Sequence, residues 1–297
     1  MDSLDNNDIV VRFASYLCPR DLINLSLTCR RFGGSNGDGL SLMEGTARQI
    51  ICDAVKEERD ALPRMANQTY IELYSELLKH REPRLFDQLI GDGLSYVDDD
   101  KSHIKFAGNG IPNTYHTAIS NYVMRAGKHY ATFIKEGDYS FVFEMDTSFC
   151  HVGITRPLPN WDKKGLTSFY LQDNNNYEEF QRERTERWGD GNINYCALSV
   201  GSLLPLACEW DSWRTDWRTD IANSRGLCEL EDVSHRYKSG DKIGLLLDLD
   251  SGTLTVYKNE QKLGMMKDGL SGEYCWCGHT TVSNAELRIE KEFIPVD

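Results

Sequence analysis

Residues 240–277 read GDKIGLLLDLDSGTLTVYKNEQKLGMMKDGLSGEYCWC, and their pattern decides what the back of this chain builds. Ile243, Leu245, Leu247 and Leu249 recur at every second position, with Gly244 and Leu246 between them. A period-2 run that is apolar on both faces predicts a strand inside a two-layer β structure. Asp250-Ser251-Gly252 predicts a turn, because glycine accepts a positive φ and aspartate can bond its own backbone. Leu254, Val256 and Tyr257 resume as a second strand, and Lys258-Asn259-Glu260 turns the chain again. The pattern is an antiparallel meander.

Working outward, β signals govern the chain from Leu94 onward. Tyr130-Ala131-Thr132-Phe133-Ile134 and Phe141-Val142-Phe143-Glu144-Met145 read as strands flanking a turn at Glu136-Gly137-Asp138. Val152-Gly153-Ile154-Thr155-Arg156-Pro157 reads as another, and Glu286-Leu287-Arg288-Ile289 as a late edge strand. The string GD-x-IG-x-x-x-D-x-D-x-GTL-x-x-YKN resembles the closing strands of a SPRY domain, a β-sandwich that binds other proteins. The resemblance holds over 127–157 and 240–289, and implies recognition rather than chemistry. Over 159–239 it is poor, and a divergent insertion is expected there. No long internal repeat is present, which argues against solenoids and propellers.

The front of the chain is helical instead. Ile9, Val10, Phe13, Tyr16 and Leu17 have helical spacing and are followed by Leu22, Leu25, Leu27 and Phe32. Cys18-Pro19 interrupts them. Proline is tolerated in a first helical turn, so Pro19 opens a second helix, with Asp21 favourable near its N-terminus. Short helices of this kind bury too little surface to stand alone. DIVVRFASYLCPRDLINLSLTCRRFG resembles an F-box, a helical motif that docks onto the adaptor of cullin–RING ubiquitin ligases. YL-x-PRDL-x-x-LS-x-TCRRF carries the match; the family's opening Leu-Pro is replaced by Asp5-Asn6, with Leu4 one residue away. The resemblance implies that Ile9, Phe13, Leu17, Pro19, Leu22, Leu25 and Leu27 meet the adaptor. The alternative is that these helices only cap the helical connector, leaving a stand-alone SPRY interaction module.

After a glycine-rich break at 33–39, Leu42, Ala47, Ile50, Ile51 and Val55 predict one helix running into the KEERD stretch. Ile71, Leu73, Tyr74, Leu77 and Leu78 predict another over 69–79. Leu85-Phe86 and Leu89-Ile90 close the connector before Gly91-Asp92-Gly93. The expected architecture is multidomain α+β. It comprises an F-box-like motif over 1–34, a helical connector over 41–93 and an antiparallel SPRY-type β-sandwich over 94–297, with the insertion at about 159–239.

Composition narrows the function. The 297 residues carry a net charge of −13 and are 40% hydrophobic. There are 11 basic and 15 acidic residues before residue 94, and 22 and 31 from there on. Neither part is basic, which argues against nucleic acid as a partner. No apolar stretch approaches the roughly 18 residues that a membrane span needs. The acidic start MDSLDNNDIV lacks signal-peptide character, and nine cysteines form an odd set, so reduced thiols in cytosol or nucleus are expected.

Candidate chemistry is sparse. Trp210, Trp213 and Trp217 share one face if EWDSWRTDWRTD is helical, with Arg214 and Arg218 on a neighbouring face. That cluster is either a target-binding surface rich in hot-spot residue types or an insertion packing its tryptophans on the sandwich. Cys275, Cys277 and His279 alternate along a strand and are too stretched to converge on one ion, and no second knuckle exists. Asp248 and Asp250 fit no EF-hand frame. Nucleophile elbow, P-loop, zincin and dinucleotide signatures are all missing. The expectation is a chain without catalytic residues, metal or cofactor, whose partners are a ligase adaptor and a target protein.

Overall fold

A computed structural model describes residues 6–28, 30–34, 39–63, 68–106, 115–136, 150–170, 179–189, 193–200, 205–209, 239–280 and 285–295. Contacts divide the chain into 1–82 and 83–297.

In the first unit Pro19 starts a helix as expected. α1 (Asn6–Ala14) ends before it, α2 (Pro19–Thr28) begins on it with Asp21 in the first turn, and α3 (Arg30–Gly33) follows. Aspartate there offsets the positive end of the helix dipole. α4 (Leu42–Asp53) is capped by Ser41, whose side chain accepts from the Glu44 amide. The expected continuous helix through KEERD is instead two. Ala54 and Val55 are both extended, and α5 (Lys56–Ala61) is a separate turn and a half. The break leaves acceptors at the end of α4 without helical partners, and Arg59 Nη1 donates to one of them, the Cys52 carbonyl, at 2.6 Å. α6 (Tyr70–Arg81) opens with a full capping box between Thr69 and Glu72. Its inner stripe, Ile71, Tyr74 and Leu77, meets Met43, Ala47 and Ile51 of α4 together with Ala14 and Leu22.

The second unit is a sandwich of two antiparallel sheets. Its strands are β1 (Gln88–Ile90), β2 (Leu94–Val97), β3 (Asp100–Phe106), β4 (His116–Ile119), β5 (Lys128–Glu136), β6 (Cys150–Thr155), β7 (Ile193–Ser199), β8 (Pro205–Glu209), β9 (Lys242–Asp248), β10 (Thr253–Lys258), β11 (Gln261–Lys267), β12 (Cys275–Thr280) and β13 (Ala285–Glu290). One sheet runs β1-β4-β12-β6-β7-β8 and the other β11-β10-β9-β5-β13-β3-β2. Alternation supplies the core between them. Ile243, Leu245 and Leu247, Leu254 and Val256, Ala131 and Phe133, and Leu287 and Ile289 face Val152, Ile154, Cys196, Leu198 and Trp276. The meander over 240–267 is β9, β10 and β11. Gly252 turns with φ +69°, and Asn259 and Glu260, at φ 50° and 68°, make the second turn. Asp248 Oδ1 accepts from the amides of Asp250 and Ser251 and closes the turn, whereas Asp250 Oδ1 accepts from the Gly127 amide.

Three further expectations are corrected. Leu85–Ile90 does not finish a helical connector: β1 pairs with β4, Leu89 packs toward the core and Ile90 toward the other side of its sheet. Apolar pairs four residues apart mimic a helix, but here alternation wins. β13 is no edge strand, since β5 and β3 pair with it on both sides. The stretch 159–239 is not wholly an insertion either. β7 and β8 lie within it and extend the six-stranded sheet from β6. Every β7 position is buried, so its sequence shows a continuous run in place of the alternation that marks a one-sided strand. The expected strand at 141–145 lies outside the described residues.

Candidate binding surfaces

α1 and α2 each carry two apolar stripes. On the inner side Leu22 is fully buried, with Val10, Leu17 and Leu25 half-buried against the same core. On the outer side Ile9 is 56%, Phe13 63% and Leu27 79% exposed. Tyr16 and Ile23, neither foreseen as contact residues, join them at 81% and 46%. Pro19 is half-buried at the start of α2. The seven residues implied as adaptor contacts therefore split: Ile9, Phe13 and Leu27 face out, while Leu22 belongs to the unit's own core. An amphipathic helix needs one apolar stripe to fold, and here a second is left uncovered. Tyr16 extends the i, i+4, i+7 row begun by Ile9 and Phe13, and Ile23 precedes Leu27 by four, so spacing alone could have found both.

The sandwich offers a second feature on the outer face of its six-stranded sheet. Trp161, Phe169, Phe180 and Trp188 cover part of that face, over Tyr195, Ala197, Cys275 and Cys277. Beside them four rings stack. His151 of β6 and His279 of β12 are register partners whose rings lie 5.6 Å apart at 8°. Tyr170 stacks on His279 at 4.1 Å, and Tyr115 on Tyr170 at 4.8 Å. Both histidines are buried and both tyrosines half-buried.

Hydrogen bonds fix the His279 tautomer. Thr117 Oγ1 donates to the Phe169 carbonyl at 2.7 Å, so its oxygen accepts from His279 Nδ1–H at 3.1 Å. Nε2 of His279 then keeps a lone pair and is buried without a partner. Burial holds both rings neutral. It lowers His151 to about 4, while His279 lies well below its usual value through burial and the neighbouring His151 and His116. Two half-buried tyrosine rings over neutral imidazoles make an aromatic surface suited to an apolar or aromatic side chain.

Cys275 and Cys277 share the His279 face of β12, and burial pushes both thiols up, keeping them protonated. Cys150 and Cys196 shift in the same direction, raised to about 11 and about 12. Trp210, Trp213, Arg214, Trp217 and Arg218 lie outside the described residues. Among the described residues no helix is long and apolar enough to cross a membrane.

No family model matches the chain, and no curated protein matches it. Solved structures do. The TRIM65 PSpry domain is 16% identical over 69% of this chain and 89% of that one, with a TM-score of 0.38. The SPRY domain of human HERC1 is 11% identical over 70% and 96%, and the neuralized-nhr1 domain of Drosophila melanogaster 10% over 70% and 97%, both with a TM-score of 0.38. Likenesses this distant carry no functional argument. A few N-terminal helices followed by two antiparallel sheets are themselves consistent with a SPRY-type sandwich.

Proposed function

We propose that this chain is a non-catalytic recognition subunit of a cullin–RING ubiquitin ligase, working in the cytosol or nucleus. α1 and α2 dock the adaptor, and the sandwich holds a target protein. The observation that carries the reading is the uncovered stripe of Ile9, Phe13 and Leu27, on helices whose sequence resembles an F-box. The sandwich contributes recognition through its resemblance to SPRY domains, with the Tyr115–Tyr170 surface as a candidate grip. Catalysis in such an assembly is proximity: holding a target near a charged conjugating enzyme raises the effective concentration of its lysines.

The test is co-purification of the adaptor with the intact chain and with a Phe13→Glu, Leu27→Glu double variant. Both side chains face solvent, so the variant keeps its fold while its surface changes. Stoichiometric adaptor on the intact chain, lost from the variant, supports docking through this stripe. Absence of adaptor from both leaves the helices as a cap and the chain as a stand-alone interaction module.

A further inference from the structure

On the seven-stranded sheet, β3, β13 and β5 lie side by side. Ile104, Phe106, Phe133, Leu287 and Ile289 enter the core, so the residues alternating with them point to the opposite face. There Glu286 stands directly opposite Glu136 across β13–β5, and Arg288 opposite His103 across β13–β3. Like charges facing each other across a ladder are unfavourable. Arg288 offsets them only in part: its Nε is 3.5 Å from Glu136 Oε1, while its Nη2 lies 3.2 Å from His103 Nδ1.

His103 is the member that points to a ligand. It is 6% exposed, and its Nε2 lies 3.0 Å from Glu286 Oε2 and 3.9 Å from Glu136 Oε2. Nε2 nonetheless makes no hydrogen bond: the Glu136 oxygen is too far, and the nearer Glu286 oxygen is out of line with the ring N–H. A tetrahedral zinc ion with bonds of about 2.0–2.2 Å holds its ligand atoms about 3.3–3.6 Å apart. The two separations fall on either side of that range, and one ligand atom from each residue lies within 4.8 Å of the others. We propose that His103 Nε2, Glu136 and Glu286 form a zinc-binding site, with water completing the shell. One imidazole and two carboxylates are a borderline-hard donor set that suits Zn²⁺, and the ion relieves the opposed charges.

Arg288 limits the affinity. The ring can offer Nε2 to a metal only with its proton on Nδ1, the atom that the guanidinium now faces. Binding therefore displaces Arg288 from the ring, and the arginine's charge opposes the ion. Removing Arg288 strengthens the site, whereas removing His103 or Glu286 weakens it.

The experiment is titration of the full chain with Zn²⁺, and with Co²⁺ as a spectroscopic substitute, against His103→Ala, Glu286→Gln and Arg288→Gln, each checked for retained fold by circular dichroism. The expected result is one site with d–d bands and no thiolate charge transfer. Affinity falls roughly tenfold or more in Glu286→Gln and His103→Ala, and rises roughly tenfold in Arg288→Gln. Should His103→Ala not fold, Glu286→Gln and Arg288→Gln decide between them. Unchanged affinity in Glu286→Gln, cobalt spectra dominated by thiolate bands, or weaker binding in Arg288→Gln would each overturn the proposal.

Discussion

A histidine held neutral in the folded chain makes acid destabilising, because the unfolded chain binds the proton that the folded one refuses. His151 is lowered from 6.5 to about 4. Its contribution is complete above pH 6.5 and is lost as pH falls from there toward 4, amounting to about 2 kcal/mol by pH 5 and about 3 kcal/mol at the lower limit. His279 acts in the same direction. Chemical denaturation from pH 7.5 to 4.5 should show the intact chain losing stability faster than His151→Phe, which keeps a ring in the stack; parallel slopes would exclude the account. None of this stack was legible in the sequence. Tyr115, His151, Tyr170 and His279 come from four separate segments, joined only by the β6–β12 register and by the chain that crosses Thr117 and Phe169. Gly153 illustrates the opposite case. A Cβ there would run into the Cys196 carbonyl and sit 2.5 Å from Ala197 Cα, and the sequence already showed this glycine between two apolar strand residues.

Elements became legible when burial was one-sided or turns were chemically marked. β9 and β10 set a core-facing alternation between chemically marked turns, and those strands and turns agree with the sequence, whereas largely exposed β11 shows no such alternation. α2 was legible because Pro19 marks its first turn. β7 was not, since burial on both faces erases the alternation, and the position of β13 depends on long-range pairing that local pattern does not encode. Helices α1 and α2 lie between these cases: their spacing predicts helices, but not which of two apolar stripes the rest of the unit covers. That distinction has an energetic consequence within α2. Leu22→Ala should cost about 2–5 kcal/mol, the range for a fully buried leucine. Leu27→Ala, at an exposed site, should stay within about 0.5 kcal/mol. Thermal melts of the two variants check this, and equal losses would mean that the stripe carrying Leu27 is covered.

At the scale of the molecule, the boundary between its two units decides which pieces can fold. The sequence places the start of the sandwich at residue 94, whereas contacts place it at 83. The intervening residues have structural work within the sandwich. Phe86 is fully buried in its core, and its amide donates to the Lys101 carbonyl. Arg84 lies over the Tyr122 ring at 3.9 Å. β1 supplies the outer partner of β4, and Gln88 accepts from the Trp161 amide while donating to Asn121. A fragment beginning at 94 loses all of these. Removal of a buried phenylalanine alone costs about 3–5 kcal/mol, and β4 becomes an open edge ready to pair with another chain. Such a loss is a large part of the 5–15 kcal/mol typical of a whole domain. A fragment of residues 83–297 should therefore unfold in one cooperative transition as a monomer, and 94–297 should melt lower and aggregate. Size-exclusion chromatography and thermal denaturation of the two fragments side by side measure this. Equal stability would mean that β1 and Phe86 add nothing, and would return the start of the sandwich to residue 94.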